Sequence, residues 1–315
     1  MQRGWSIRAS RFRGCGVALV AAMLLSGCGV FTYQADRDGY AQSRCDGVPE
    51  NATRLRKAVA VTEFRLAPGA GADDLWDVGR LFAERVADAL EQSGRVHLRE
   101  PSAPPLPRPG RETATPVRAT GAASAAQVVI SGELQDLSIR DPAVDLPWFG
   151  ARRLVTTQRR RLVVQLEVYD AHTGSLLGRH LHEGDVGGDN RHRGGRLGHG
   201  FWSSRYGGAM AAAADELTGD ALATLRCLPL EAPVRHVDGE RVVIEAGEYA
   251  GLQTGDELLV LSTHARRPGD PVEPLVDAWP LGGARVDRVS GGHAVLLLDP
   301  DAMGVIRIGD RVRAW

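Results

Sequence analysis

The chain is 315 residues long, with 43% hydrophobic residues and a formal net charge of -1 from 38 basic and 39 acidic side chains. That length accommodates about two domains, each able to bury a core of its own. Four arginines, Arg3, Arg8, Arg11 and Arg13, crowd the first positions, so the remainder is mildly acidic with no broad basic face, which argues against nucleic acid as a partner. Nearly every basic residue is arginine, Lys57 being the exception, and a compositional bias of the genome explains this better than selection for bidentate contacts.

The four arginines form the basic start of an export signal whose apolar stretch runs from Val17 to Leu25. That stretch is far shorter than the ~20 residues needed to cross a bilayer, and no later segment approaches that length. It closes on Leu25-Ser26-Gly27-Cys28, which resembles a lipobox, the site at which bacterial lipoproteins are cut before a cysteine that receives acyl chains. An ordinary signal peptide that happens to carry Cys28 is the competing reading. The short apolar run, the small-small-Cys order and the polar start beyond it favour lipidation of Cys28. Residues 1–27 are then a signal peptide, and residues 28–56 a lipidated cysteine and tether. Gly29 and Val30 lack the aspartate associated with inner-membrane retention in lipoproteins, so the resemblance implies the periplasmic side of the outer membrane. Cys15 leaves with the signal, which leaves Cys45 and Cys227. In an oxidising compartment such a pair reads as a disulfide, two buried free thiols being the alternative.

In the tether, Asp36-Arg37-Asp38-Gly39 opens like a calcium loop but lacks the later ligands, and reads as an Asx turn. Residues 58–64 predict a strand. Asp73 and Asp74 are expected N-caps of a helix through Ser93, with Val78, Phe82, Val86, Ala89 and Leu90 on one stripe. Gly69 and Gly71 supply two positions of G-x-G-x-x-G, but the third is Asp74, a carboxylate where a pyrophosphate would sit, so no nucleotide site is expected. Residues 95–99 predict a second strand, and the proline-rich 101–120 an exposed, partly extended insertion. Residues 121–126 predict a helical turn, and 128–134 a third strand.

A ribbon follows, 159–169 and 176–186 about a turn at 170–174, with Leu162, Val164, Leu166 and Val168 facing the core. After the Gly- and Arg-rich stretch 187–208, Met210, Ala214, Leu217, Ala221 and Leu225 space out a helix. From Val234 the pattern becomes short strands at 241–245, 257–261, 284–289, 294–298 and 311–315. Gly255-Asp256 and Gly309-Asp310 close two copies of one device, in which glycine supplies a positive φ and aspartate an Asx hydrogen bond. The predicted fold is an α/β domain with a mixed sheet and packed helices over 57–229, then a small all-β barrel- or sandwich-like domain over 230–315.

There is no H-E-x-x-H, G-x-S-x-G or paired C-x-x-C, so no catalytic residue, cofactor or metal site is predicted. His180 and His182, two apart on one strand face with His172 near the turn, are the best metal candidates. No third ligand is specified, and a solvated strand face is the preferred reading. Phe201, Trp202, Arg205 and Tyr206 combine residue types enriched at binding hot spots. They read equally as a partner-binding site and as a loop whose aromatics fold back on their own domain.

Three stretches carry a family resemblance: 58–64 with its helix, 121–134 running into Val128-Val129-Ile130-Ser131-Gly132, and 163–174 ending Val168-Tyr169-Asp170-Ala171-His172-Thr173-Gly174. Together they resemble the α/β domain shared by the amino-terminal part of the Tol-system propeller protein, the curli secretion lipoprotein and the middle domain of flagellar assembly protein T. The paired glycine-aspartate turns resemble the carboxy-terminal domain of the last of these, and the order of the modules selects that family, here in a lipoprotein form. The resemblance implies a non-enzymatic periplasmic protein that builds a ring around the flagellar basal body beside the outer membrane. Its implied partners are other envelope or basal-body proteins, further copies of itself, and the outer membrane through the lipid. The family's amino-terminal domain has no counterpart in residues 29–56. A lipoprotein activator of a peptidoglycan synthase shares the α/β domain and stays an alternative. A secretion channel is less favoured, because Arg152, Arg153, Arg159, Arg160 and Arg161 would lie at bilayer depth.

Overall fold

The computed structural model describes residues 54–99, 106–107, 113–140, 158–187, 197, 199–263 and 278–315. The signal peptide, Cys28, Cys45, the 36–39 turn and parts of the proline-rich and Gly/Arg-rich stretches lie outside the described residues. The first module is a mixed sheet of β1 (Lys57–Val61), β2 (Arg65–Leu66), β3 (Val96–Arg99), β4 (Val128–Asp136), β5 (Ile139–Arg140), β6 (Arg159–Asp170) and β7 (Leu176–Gly187). Its order is β3-β1-β4-β6-β5, with β2 paired to β4 and β7 to β6. β1 runs parallel to β3 and β4, whereas β6 is antiparallel to β4 and β7.

Period-two alternation decides which helix covers which face. Val59 and Val61 of β1, Val128 and Ile130 of β4, and Leu162, Val164, Leu166 and Val168 of β6 point to one side. There α1 (Val78–Gln92) and α4 (Arg205–Arg226) close the main core with Phe82, Val86, Leu90, Met210 and Leu217. Val129 and Tyr169 point to the other side, against Val117 of α2 (Ala114–Ser124), Ala171 and Leu106. The expected core face of the ribbon is therefore the observed one, and its opposite face is also largely covered. Glu167 lies there with 1% exposure, accepting from Gln165 Nε2 at 2.8 Å, Tyr169 Oη at 2.8 Å and Arg179 Nε at 3.1 Å. Among the described residues no helix is long and apolar enough to cross a membrane.

Three local expectations are corrected. Residues 114–120 are the first turns of α2 and not an extended insertion, with Val117 and Thr120 buried. Pro116 is tolerated because the first turn of a helix has no intrahelical use for its missing N–H. Asp73 and Asp74 do not cap α1, whose N-cap is Asp77 at φ 65°, its carboxylate accepting from Arg80 Nε at 2.6 Å. The last helix starts at Arg205, five residues before Met210, because Ser204 caps it by accepting from Gly207 N at 3.0 Å.

The second module is a closed six-stranded antiparallel barrel, which settles barrel over sandwich. Its strands are β8 (Leu230–Asp238), β9 (Arg241–Ile244), β10 (Glu257–Ser262), β11 (Trp279–Val289), β12 (Ala294–Leu298) and β13 (Arg311–Ala314), in the order β10-β11-β12-β9-β8-β13. The sequence reading left out β8 and took its first strand of this region at 241–245. Pro233 sits in β8 facing Arg311, beside a register shift between Val234 and His236.

The barrel is an internal duplication. β8-β9-β10 and β11-β12-β13 each run as a hairpin, a 3-10 turn (Glu248–Ala250 or Pro300–Ala302) and a glycine-aspartate corner leading to the last strand. Gly255 and Gly309 have φ of 92° and 94°. Asp256 accepts from Gln253 N at 2.8 Å, and Asp310 from Arg307 N at 2.7 Å. β12 pairs with β9 and β10 with β13, so each repeat closes the other, and neither can bury its apolar face alone.

Gln127, 6% exposed, joins the two modules: its Nε2 donates to Pro229 O at 2.6 Å and its Oε1 accepts from Glu231 N at 3.1 Å. Gln127→Ala deprives a carbonyl and an N–H of partners in a buried setting. A loss of roughly 2–3 kcal/mol in unfolding free energy is expected, read as a lowered urea midpoint by circular dichroism.

Candidate functional site

A cleft of about 290 Å³ opens where the sheet meets the barrel, within one compact unit. Its floor is small, made by Ala58 of β1, Gly121 and Ala122 of α2, and Ala125, Ala126 and Ala171. Gly121 is required by close approach, since a Cβ there would lie 2.4 Å from that of Ala171. Charged side chains form the walls: Arg56 ahead of β1, His97 and Arg99 on β3, Arg118 on α2, and Glu231 and Arg235 on β8. Tyr249, 56% exposed, lies at the rim with its ring 5.4 Å from that of His97. A second pocket of about 420 Å³ shares Arg118, His172 and Pro233 with the first and reaches Arg311 and Gly309.

Burial, then Arg99 and Arg56, push His97 below the ordinary imidazole range. Burial and then Arg311 do the same to His172. Four guanidiniums, those of Arg56, Arg99, Arg118 and Arg235, line the cleft beside these imidazoles. Glu231 accepts from Arg311 Nη1 at 2.8 Å and from Arg313 Nη2 at 2.6 Å, and Glu245 is paired with Arg235. What this arrangement supplies is charge recognition.

The aromatic residues singled out in the sequence are brought together at the start of α4, facing inward for the most part. α3 (His199–Trp202) carries Phe201, 5% exposed, and its ring meets those of Trp202 at 5.3 Å and Tyr206 at 6.4 Å. Tyr206 is 2% exposed and donates to Arg161 O at 3.0 Å. Trp202 packs against the core while partly accessible, and Arg205 is exposed, donating to Gly187 O at 3.0 Å. His180 and His182 lie against α4 instead of facing solvent. His180 Nε2 is 3.1 Å from Thr224 Oγ1, and His182 Nδ1 is 2.8 Å from Glu216 Oε2. Among the described residues no group of three or more His, Cys, Asp or Glu side chains is placed to hold a metal. Cys227 is buried at the end of α4 and disulfide-bonded, while Cys45 lies outside the described residues.

The cleft was missed by the sequence reading. Its arginines stand tens of residues apart, with no spacing that marks them as a set, and only the pairing of β1 with β3 and the crossing of α2 gather them.

Fold and site together define a two-module protein, an α/β sheet and a closed barrel with a charged cleft between them. Residues 51–190, just under half of the chain, match the family model of flagellar assembly protein T, middle domain. This bears out the resemblance expected for the α/β module. No curated protein matches the chain. Among solved structures it is similar to the hypothetical protein CT253 from Chlamydia trachomatis, with 18% identity, 55% of this chain and 98% of that one covered, and a TM-score of 0.38. It is also similar to lipoprotein GNA1162 from Neisseria meningitidis, with 9% identity, coverage of 52% and 99%, and a TM-score of 0.30. A third is the PelC dodecamer from Paraburkholderia phytofirmans, with 15% identity, coverage of 54% and 88%, and a TM-score of 0.29. At these scores the structural likenesses carry no functional weight.

Proposed function

We propose that this protein is a non-enzymatic, lipid-anchored periplasmic protein of the outer membrane that acts by protein contacts in building the flagellar basal body. The observation that carries the reading is the match of residues 51–190 to the middle domain of flagellar assembly protein T. The order of modules, with a barrel following that domain, supports it. Deleting the gene is expected to reduce swimming and to remove or disorder the outer rings of the basal body, scored by motility in soft agar and electron microscopy. Normal swimming with intact outer rings would sink the flagellar reading.

The lipobox-like Leu25-Ser26-Gly27-Cys28 places the protein by an anchor and a short tether. Several acyl chains hold firmly where one binds only marginally. Cys28→Ser is therefore expected to release the protein from the membrane fraction and to lower complementation of the deletion. Full complementation by the soluble variant would show that the domains do the placing. Cys45 is the proposed partner of Cys227, fixing the tether to the end of α4. The partner-binding role suggested for Phe201, Trp202, Arg205 and Tyr206 is carried at the surface by Trp202 and Arg205, with the two buried aromatics supporting them from beneath.

A further inference from the structure

Several surface arginines have a carboxylate at hand: Arg54 has Asp256, Arg85 has Asp215, Arg161 has Glu183 and Arg179 has Glu167. Of the four arginines that line the cleft between sheet and barrel, only Arg235, with Glu245, is so paired. Arg56, Arg99 and Arg118 reach the cleft from three separate segments, and among the described residues none of them has a salt-bridge partner. Arg118 makes only long contacts, to Thr173 O and Thr115 Oγ1, both at 3.4 Å. Arg99 Nε and His172 Nε2 are shielded from solvent without a hydrogen-bond partner. Buried polar atoms of this kind cost stability unless a partner meets them. Like charges gathered around one cavity add to that cost.

The walls also limit what the occupant can be. α2 lines the cleft with Gly121 and Ala122 from its last turns, the negative end of a helix dipole, and Glu231 and Glu245 stand in the wall. A doubly charged phosphate meets these groups unfavourably. A carboxylate, with one charge on a planar pair of oxygens, matches the guanidinium fork and meets less repulsion. The alanine floor and the exposed face of Tyr249 offer surface to the body that carries it.

We propose that this cleft is a binding site for a carboxylate-bearing ligand, held by Arg99 and Arg118 with its body against Tyr249 and the alanine floor. The carboxylate belongs either to a free organic acid or to an acidic peptide segment, and the two sources are separable. The test is calorimetric titration of the full chain at low salt with benzoate, with an acetylated and amidated peptide carrying a single glutamate, and with inorganic phosphate. Benzoate or the peptide is expected to bind, with affinity falling about tenfold or more in Arg118→Ala and in Arg99→Met, as for loss of one charge-assisted hydrogen bond. Arg285→Ala, an exposed change outside the cleft, is expected to leave binding unaltered. Binding of benzoate assigns the site to a free acid, and binding of the peptide alone to a partner segment. Arg118 is exposed on its helix, so Arg118→Ala carries the test even where Arg99→Met folds poorly. The proposal is overturned if neither carboxylate binds, if phosphate binds more tightly than both, or if Arg118→Ala leaves the affinity intact.

Discussion

Asp74→Ala is expected to lower stability by about 3–5 kcal/mol, the usual consequence of removing one partner from a buried ion pair. Arg160 is fully buried, and its Nη1 and Nη2 donate to the two oxygens of Asp74 at 2.7 and 2.6 Å, a bidentate fork. Its Nε donates to Leu137 O at 2.9 Å, and its guanidinium lies 4.7 Å over the ring of Tyr206. One side chain on β6 thereby ties down the loop before α1, the turn after β4 and the first turn of α4. The pair is asymmetric, because Asp74 keeps 26% exposure while Arg160 has none. Removing the carboxylate leaves a buried charge, whereas Arg160→Met leaves a carboxylate that water can reach. Asp74→Ala is therefore expected to cost more than Arg160→Met, measured by chemical denaturation of both variants. Equal or reversed losses would mean that packing of the arginine stem outweighs its charge.

Lys57→Met is expected to raise the melting temperature at pH 7. Lys57 is 5% exposed, its ammonium donating to Leu55 O at 3.3 Å, and burial lowers its pKa from 10.5 to about 8. At ~1.4 kcal/mol per unit, holding that proton costs the folded chain on the order of 3 kcal/mol. Below pH 8 the lysine is charged in both states and the full cost is present. Between pH 8 and 10.5 the unfolded chain binds a proton that the folded chain has released, so stability from this group rises with pH across that window. Methionine has a similar length and no charge, so the gain should be several degrees at pH 7, at roughly 2–4 °C per kcal/mol for a chain of this size. It should shrink toward pH 10. Melting curves of both proteins at pH 7 and 9.5 check this, and a gain that does not change with pH would assign it to packing alone.

These two residues show where sequence reading stops. The sequence marked Asp74 as a helix cap and Arg160 as one of five arginines of the ribbon region, because local patterns judge a charge by its neighbours in the chain. Their pairing spans 86 positions and became visible only when β6 crossed the loop before α1. Lys57 stood out in composition as an exception among arginines, with nothing to say it was buried. The aromatic group at 201–206 was legible as a set, and the structure turned Phe201 and Tyr206 inward because α3 and the start of α4 close over the sheet. The arginine cleft left no trace in the sequence, since its members share neither a motif nor a period.

What the sequence determined by itself was whatever depends on short-range periodicity and turn chemistry. The period-two ribbon, the apolar stripes of α1 and α4, and the Gly255-Asp256 and Gly309-Asp310 corners all declare themselves within a few residues, because backbone geometry is local. The export signal with its lipobox-like end is local too, and predicts a compartment without any fold. What only the tertiary structure decided was closure and burial. The sheet order β3-β1-β4 carries α2 to the face opposite α1 and α4, the two barrel repeats close each other, and Gln127 fastens one module to the next. Those outcomes depend on contacts between residues far apart in the chain. They also set the electrostatics, because a charge's cost follows from the solvent it loses and the partner it gains. Lys57, Arg160 and the open guanidiniums of the cleft took their different roles only when the fold placed them.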